Sequence, residues 1–494
     1  AGICGHFVYH SLHSLSSMFR ARPIDTTEMR EWLVVLLIAS CILLLPVGRM
    51  VELPTMLLSI AGLVVLLRQS ARVSQSPPVR TLAFLFACIW FPMLIAQMDA
   101  TSVATLRTNV VFPRFLLMGL GMILLLAQAP QRIDRLQSLL CAVLAFWAAD
   151  GLIQGVWGRN LWGDSLIDGQ VTGVFHPKQN IGHVLAALFP VFLHWVTRQA
   201  QRRPWMWVWI PVYIAVIILS GKRAAWAMLA VALIVLPIAS LIKLPSRRRL
   251  KMLAMMLAMA VAAGILLHEN SGFMAKIETT AGLFSGDRDK ADMATSHRLS
   301  IWRVGFDIFH DHWLNGIGPR AFRDVYPHYA PPEDPFMQIN PTSGPTHPHL
   351  IALEVAVETG VFGLLGFGIL WLWLLRALWQ ARGDAAQLAW LTALAVSVLP
   401  FNVGHALYGH VWTGIVFWLM SVAVIVRWRS FTTAHAVPDS PAAPMPDTPS
   451  QTSTMALSLR HDMSGEKSAH RPSFLLDCRD APLAVASCAP GRGV

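Results

Sequence analysis

Two adjacent positive charges, Lys222 and Arg223 in the segment SGKRAAW, are the first candidates for chemistry in this sequence. They lie between two apolar stretches, and a helix is expected to begin directly after them. The N-terminus of a helix attracts anions, and the planar fork of arginine suits phosphate oxygens. The pair therefore either anchors a helix end at the headgroup level of a membrane or binds an anion there.

A second basic cluster surrounds the turn GIG further along the chain. It contains His297, Arg298, Arg303, Arg320 and Arg323. A single arginine in a loop is usually a solvated surface charge. Two arginines from separate segments at the same membrane surface, however, favour a ligand that carries a lipid phosphate. We expect Arg223 and Arg298 to act on such a phosphate, and Lys222 and Arg320 to help bind it.

His349 stands in the segment THPHLIALEVAVETG, where a further apolar helix begins. A histidine at this position is usually only a polar residue at a helix start. With an ordinary pKa near 6.5, its imidazole can instead accept a proton from a sugar hydroxyl at neutral pH. Glu358 follows on the same helix, but the spacing places it on a different face, so the two are not expected to be direct partners.

Metal-binding patterns are weak in this sequence. Asp287 and Asp289 form an Asp-x-Asp tripeptide, but a charged loop such as GDRDKAD contains one easily. His347 and His349 are separated by Pro348, and no third zinc ligand is nearby. The sequence has no phosphate-binding glycine-rich loop, no Ser-His-Asp set and no Cys-x-x-Cys motif. We expect neither a metal nor a cofactor.

Composition determines what kind of scaffold holds these residues. The chain has 494 residues, of which 55% are hydrophobic and only 14% charged, against roughly 25% charged residues in soluble proteins. This excludes a soluble enzyme and predicts an all-α, polytopic integral membrane protein, because helices satisfy their own backbone in lipid. The net charge of +11 fits anionic membrane lipid, and we expect no nucleic-acid partner.

Apolar runs predict about twelve transmembrane helices. The runs lie near residues 32–48, 52–67, 81–98, 110–127, 136–157, 180–197, 205–220, 224–241, 252–267, 350–375, 385–405 and 411–426. Basic residues gather in every second connection and after the last run. The positive-inside rule therefore predicts that both termini are cytoplasmic.

This topology predicts five regions along the chain. We expect a cytoplasmic N-terminal segment over 1–30, helices one to nine over 31–267 and a periplasmic loop domain over 268–348 between spans nine and ten. Helices ten to twelve follow over 349–430, and the tail 431–494, rich in Pro, Ser, Ala and Thr, is expected to be disordered and cytoplasmic. Within the long loop, Trp302, Phe306, Phe309 and Trp313 have helical spacing, which predicts a helix that folds against the membrane surface.

Several segments together resemble the O-antigen ligase family, within the O-antigen ligase/polymerase superfamily of bacterial envelope enzymes. SGKRAAW resembles the short outer turn of the family and its arginine. RLSIWRVGFDIFHDHWLNGIGPRAF resembles its arginine and tryptophan followed by a Gly-x-Gly turn, and HPHLIALEVAVETGVFG resembles its His-Asn-x-x-Leu-x-x-x-x-Glu-x-Gly stretch. GVFHPKQNIGHVLAALFP, which contains Lys178, resembles the family loop that enters span six. The matching positions are Arg223, Arg298, Trp302, Gly316, Gly318, Phe322, His349, Leu353, Glu358 and Gly360. Leu350 departs from the family asparagine, so any role of that amide is in doubt.

The resemblance implies an inverting, metal-independent glycosyl transfer at the periplasmic face of the bacterial inner membrane. The donor would be a polysaccharide on undecaprenyl diphosphate, and the acceptor the lipid A–core oligosaccharide of lipopolysaccharide. Arg223 and Arg298 would stabilise the leaving diphosphate, and His349 would activate the acceptor hydroxyl. Lys222, Arg320 and Lys178 are expected to assist substrate binding.

Two alternatives remain open from the sequence. An O-antigen polymerase or a protein O-oligosaccharyltransferase of the same superfamily would share donor and topology and differ in the acceptor. A transporter of lipid-linked glycan would instead place charges or broken helices near the bilayer midplane. Asp150, Pro190, Pro237 and Pro400 offer little of that pattern.

Overall fold

The computed structural model describes residues 26–98, 102–241, 292 and 295–435, and these form helices joined by irregular connections, without a β-strand. The α-helices are α1 (Thr26–Leu43), α2 (Glu52–Arg68), α3 (Ser70–Gln75), α4 (Pro77–Gln97), α5 (Val103–Val111), α6 (Arg114–Ala127), α7 (Gln131–Trp157), α8 (Ile181–Ala200), α9 (Trp209–Leu219), α10 (Arg223–Leu241), α11 (Arg298–Asp311), α12 (Phe322–Val325), α13 (Pro335–Ile339), α14 (Ile351–Gln380), α15 (Ala385–Ser397) and α16 (His410–His435). Short 3₁₀ turns cover Gly48–Val51, Gly173–Phe175, Pro204–Val208 and Tyr326–His328.

The prediction of an all-α, multi-pass membrane protein is confirmed. Among the described residues, seven helices are long and apolar enough to cross a membrane, and three shorter apolar helices accompany them. Every predicted span except the ninth overlaps a helix. The ninth span, 252–267, lies outside the described residues, so the count of twelve stays a prediction.

Three predicted boundaries differ from the helices observed. α1 begins at Thr26, within the predicted N-terminal segment, and α16 continues to His435, because polar residues at both ends extend the helices beyond their apolar cores. The eleventh span was expected to reach residue 405, but α15 ends at Ser397. Pro400 follows closely, and proline disfavours helical geometry in the residue before it. Residues 436–494 lie outside the described residues.

Close helix packing in the bundle depends on small residues. α2 and α6 face each other through Gly62 and Gly121. A Cβ atom on either glycine would overlap a backbone carbonyl oxygen of the opposite helix. Lipid tails give no hydrophobic drive for helix association, so such close van der Waals contact is what stabilises a pair within a membrane.

The long helix α14 is broken at Gly360, where φ is +62° and ψ is −156°. Both glycines of the GIG turn lie against this break. The N–H of Gly318 donates to the carbonyl oxygen of Glu358 at 2.9 Å, and the N–H of Val361 donates to that of Trp313 at 2.8 Å. A side chain on Gly316 would collide with the backbone of Glu358. The loop thus satisfies backbone groups that the break leaves without helical partners.

The segment after residue 295 builds its own small core against the start of α14. Ile301, Val304 and Ile308 of α11 pack with Phe322, Tyr326, Leu353 and Val357. Trp302 and Phe309 pack against this core, whereas Phe306 and Trp313 are exposed. The predicted helix is therefore present, but it ends at Asp311, before Trp313, and its aromatic residues Trp302, Phe306 and Phe309 do not all face the core.

Candidate functional site

One cavity of about 450 Å³ opens where five segments at the ends of helices meet, within the roughly 300–1,000 Å³ typical of small-molecule sites. The segments are the connections from α7 to α8, from α9 to α10 and from α15 to α16, and the two stretches that directly precede α11 and α14. The wall consists of Gln170, Gln179, Asn180, His183, Gly221, Lys222, Arg223, Ala224, Ser296, Arg298, His349, Val403, Gly404 and His405.

Four of the six predicted site residues line this cavity: Lys222, Arg223, Arg298 and His349. The other two do not. Arg320 has a left-handed backbone with φ of +69° and donates its N–H to Oε2 of Glu358 at 2.7 Å. Lys178 is exposed, and its ammonium group lies against Gly48 in the turn before α2. The cavity thus gathers the predicted catalytic residues and only part of the predicted binding set.

Arg298 is the first residue of α11, and Asp292 fixes the start of that helix. The carboxylate of Asp292 accepts hydrogen bonds from the N–H of Ser300 at 3.1 Å and from its hydroxyl at 2.8 Å. His297 lies 3.1 Å from the same carboxylate and has φ of +59°. A side-chain acceptor for the third N–H of a helix is a normal N-terminal cap. Asp292 therefore helps to fix the start of α11, where Arg298 lies.

The guanidinium of Arg298 is a half-buried charge on the cavity wall. Burial, and then the charge of Arg223, lower the pKa of Arg298 from its usual value. Within the part of the chain that the structure describes, no carboxylate pairs with it. Two cations on one partly buried wall repel each other, and an anionic ligand between them would remove that repulsion.

Lys222 and Arg223 follow a tight turn at Gly221, where φ is +65°. The turn ends α9 and starts α10, so Arg223 is the first residue of a membrane helix. The ammonium of Lys222 donates to Oε1 of Gln179. Burial lowers the pKa of Lys222, the charge of Asp168 opposes this, and the charge of Arg298 adds to it. The turn therefore directs two more cationic groups into the cavity.

His349 contacts the cavity from a strained backbone with φ of +52°, a conformation that costs a non-glycine residue on the order of 1 kcal/mol. Nδ1 lies 3.4 Å from the carbonyl oxygen of Val403, which can only accept a hydrogen bond. Nδ1 therefore carries the proton, and Nε2 keeps a free lone pair. Burial, and then the charge of Arg298, lower the pKa of His349. The ring is thus neutral at pH 7 and can act as a base.

Six further polar residues of the wall were missed by the sequence reasoning: Gln170, Gln179, Asn180, His183, Ser296 and His405. The rings of His183 and His405 lie 4.5 Å apart, and His405 stacks on Trp412 with 4.3 Å between ring centroids. The sequence did contain a signal for His183. A histidine within an apolar membrane helix costs free energy, so its presence there indicates a functional side chain. His405 was hidden by the assignment of residues 398–405 to a span.

Metal ligands are not grouped in the described part of the chain. No cluster of three or more His, Cys, Asp or Glu residues there is placed to hold an ion. His347 and His349 do lie together, with 3.9 Å between their ring centroids. Asp287 and Asp289 lie outside the described residues, and metal independence stays a prediction.

Comparison with known families bears on the central part of the chain. Residues 208–368 match the family model described as O-antigen ligase. No curated protein and no solved structure matches the chain. The matched range contains Lys222, Arg223, Arg298 and His349, whereas Gln170, His183 and His405 lie outside it. The match agrees with the resemblance that the motifs indicate: residues 208–368 are similar to the O-antigen ligase family.

Proposed function

We propose that this protein is an inverting, metal-independent glycosyltransferase of lipopolysaccharide biosynthesis. It moves O-antigen polysaccharide from undecaprenyl diphosphate to lipid A–core oligosaccharide at the periplasmic face of the inner membrane. The observation that carries this proposal is the presence of Arg223, Arg298 and His349 on the wall of one cavity. Sequence positions far apart along the chain thus supply both a cationic and a basic group to the same space.

The cationic groups suit the leaving group of this reaction. When the bond from the anomeric carbon to the diphosphate oxygen breaks, negative charge develops on the diphosphate. Fixed donors in a site with little water stabilise such charge more strongly than water does. Arg223 and Arg298 are permanently charged, and Lys222 adds a third cation beside them. These residues can neutralise the leaving group without a metal ion.

His349 supplies the other half of the reaction. Its Nε2 accepts the proton of the acceptor hydroxyl as the hydroxyl oxygen attacks the anomeric carbon. The new glycosidic bond forms on the face opposite to the departing diphosphate, so a single displacement inverts the configuration. The proton resides on the imidazole, and the electron pair of the broken bond leaves with the undecaprenyl diphosphate. Burial, and then the charge of Arg298, lower the pKa of His349, so the imidazole is neutral before the reaction and can accept the proton.

Transfer in a purified system tests this function. Wild-type protein in proteoliposomes is expected to move lipid-linked polysaccharide to lipid A–core, and a chelator is expected to leave the rate unchanged. Arg223→Ala, Arg298→Ala and His349→Ala are each expected to lower the rate by about 100-fold or more. Arg303→Ala is the matched control, because Arg303 is an exposed arginine of α11; it is expected to behave like the wild type.

Other acceptors separate this proposal from its relatives. Transfer only to a second lipid-linked glycan would identify an O-antigen polymerase, and transfer only to a protein would identify a protein O-oligosaccharyltransferase. Movement of lipid-linked glycan across the vesicle without transfer would identify a transporter. Full activity of His349→Ala would remove that residue from the mechanism.

A further inference from the structure

Four polar atoms of the cavity wall are buried and have no hydrogen-bond partner among the residues that the structure describes. They are both ring nitrogens of His183, Nε2 of His405 and Oε1 of Gln170. His183 is only 5% exposed. Buried polar atoms in proteins almost always have partners, because losing water without a replacement costs free energy. These atoms are therefore available to a ligand that enters the cavity.

This part of the wall differs in charge from the part that contains Lys222, Arg223 and Arg298. Gln170 is an uncharged amide. Burial is the largest cause that lowers the pKa of His405 to about 4, followed by His349 when that ring is protonated and by the charge of Lys222. The ring of His405 is therefore neutral at pH 7. A neutral imidazole offers one donor and one acceptor, and an amide offers both kinds of group. A diphosphate offers only acceptors, so its negative charge is best met by the cationic residues.

Sugar hydroxyls are the complementary partners of these neutral groups, since each hydroxyl both donates and accepts. The two rings are also held in place. His405 stacks on Trp412 with an interplanar angle of 15°, and Gly404 lies so close to Nε2 of His183 that a Cβ there would overlap the ring. The groups are thus pre-organised, which limits the entropy lost on binding.

We propose that Gln170, His183 and His405 form a sugar subsite, which hydrogen-bonds the hydroxyl groups of the sugar residue joined directly to the lipid diphosphate. The inference rests on the proposed function and deepens it by assigning the donor sugar to the neutral residues of the cavity and the diphosphate to its cationic residues. A binding preference for the glycosylated lipid over the bare lipid then follows from these three side chains.

Two variants remove the polar atoms while keeping the shape of the wall. His405→Phe retains a ring that can stack on Trp412, and Gln170→Leu retains a side chain of similar size. The probes are undecaprenyl diphosphate and the same lipid carrying its glycan, with binding to the purified full chain followed by tryptophan fluorescence in detergent. Wild-type protein is expected to bind the glycosylated lipid about tenfold more tightly than the bare lipid, as two or so additional hydrogen bonds would give.

Each variant is expected to lose most of this preference and to bind the bare lipid within about twofold of the wild type, since the cations are unchanged. His310→Phe and Gln338→Leu make the same substitutions at exposed residues outside the cavity and should keep the preference. The inference is overturned if the wild type shows no preference, or if both variants retain it. Equal loss of affinity for both probes in both variants would also overturn it, because it indicates a structural role. The proposed function is tested separately in the transfer assay, where it would be contradicted if no acceptor received the glycan.

Discussion

The backbone N–H of Arg320 donates a hydrogen bond to Oε2 of Glu358 at 2.7 Å. This bond joins the segment that follows the GIG turn to the first half of α14, just before the helix breaks at Gly360. Glu358 is fully buried, as is Glu354, which accepts bonds from the N–H groups of Leu407 and Tyr408. Carboxylates of α14 therefore hold both the segment after the GIG turn and the connection from α15 to α16.

Replacement of Glu358 tests this role. Glu358→Ala leaves the N–H of Arg320 buried without a partner, which costs about 1–3 kcal/mol. The melting temperature in detergent is expected to fall, and the transfer rate with it. Glu358→Gln keeps an acceptor oxygen and should retain most of the stability. Glu333→Ala removes an exposed carboxylate of the same region and should change neither quantity. Equal melting temperatures for Glu358→Ala and the wild type would show that the bond does not hold the loop.

Substitutions at two glycines of α14 test whether the backbone at the helix break requires glycine. Gly360 adopts a backbone conformation that only glycine tolerates well, and a Cβ there would overlap the carbonyl of Leu314. Gly360→Ala is expected to destabilise the protein by about 1–3 kcal/mol or more, measured by thermal unfolding. Gly368 lies in the same helix, and a Cβ added to it would meet no atom of the described residues within 4 Å. Gly368→Ala should therefore be neutral or stabilising by up to about 1 kcal/mol. A result in which both substitutions behave alike would contradict the strained break.

Asp292 is expected to act as a positioning residue for Arg298. Asp292→Ala removes the acceptor that caps α11, and the misplaced guanidinium should lower the transfer rate by about 10- to 100-fold. Asp292→Asn keeps one acceptor oxygen and should recover much of the rate. The matched control is Asp307→Ala, which removes an exposed carboxylate from the same helix. If Asp292→Ala and Asp307→Ala give the same rate, the cap does not orient Arg298.

The acidic limb of the pH profile should report His349. A base must be neutral to accept a proton, and burial and the charge of Arg298 both lower the pKa of His349 below its ordinary 6.5. As the pH falls, kcat/KM should therefore remain high through 6.5 and decline only at lower pH. In Arg298→Gln one of the two causes is removed, so the residual activity should decline at a higher pH than in the wild type. An acidic limb that lies at or above pH 6.5 in the wild type would contradict a buried, neutral His349.

The helices were predictable from sequence because long apolar runs in this chain have no other way to satisfy their backbone in lipid. The predicted catalytic residues were found because Arg223 and Arg298 are charges beside apolar runs and His349 begins such a run. Arg320 could not be placed, because its charge suggested a ligand whereas its backbone binds Glu358. Lys178 was expected near the substrate from the resemblance of its loop, but its ammonium group lies against Gly48.

The features that could not be predicted depend on contacts between residues that are far apart in the sequence. Gln170 and His405 are far apart in the sequence, with most of the helices between them. Because α15 ends at Ser397, residues 403–405 are not helical and can lie beside His183 in the cavity wall. A prediction from local hydrophobicity extends the eleventh span too far, because residues 398–405 are themselves largely apolar. The GIG turn and Gly360 were each recognisable, yet their contact with each other was not.

The assembly of the cavity from five separate segments limits how this protein can be divided. The segment from 292 to 350, if excised, would carry Arg298 and His349 but would leave behind Lys222, Arg223, His183 and His405. A chimaera that takes this segment from a relative would replace the cavity residues of that segment and keep the remaining cavity residues of the host chain. We therefore expect such a chimaera to be active only where the GIG turn of the exchanged segment fits the break at Gly360 in α14 of the host chain.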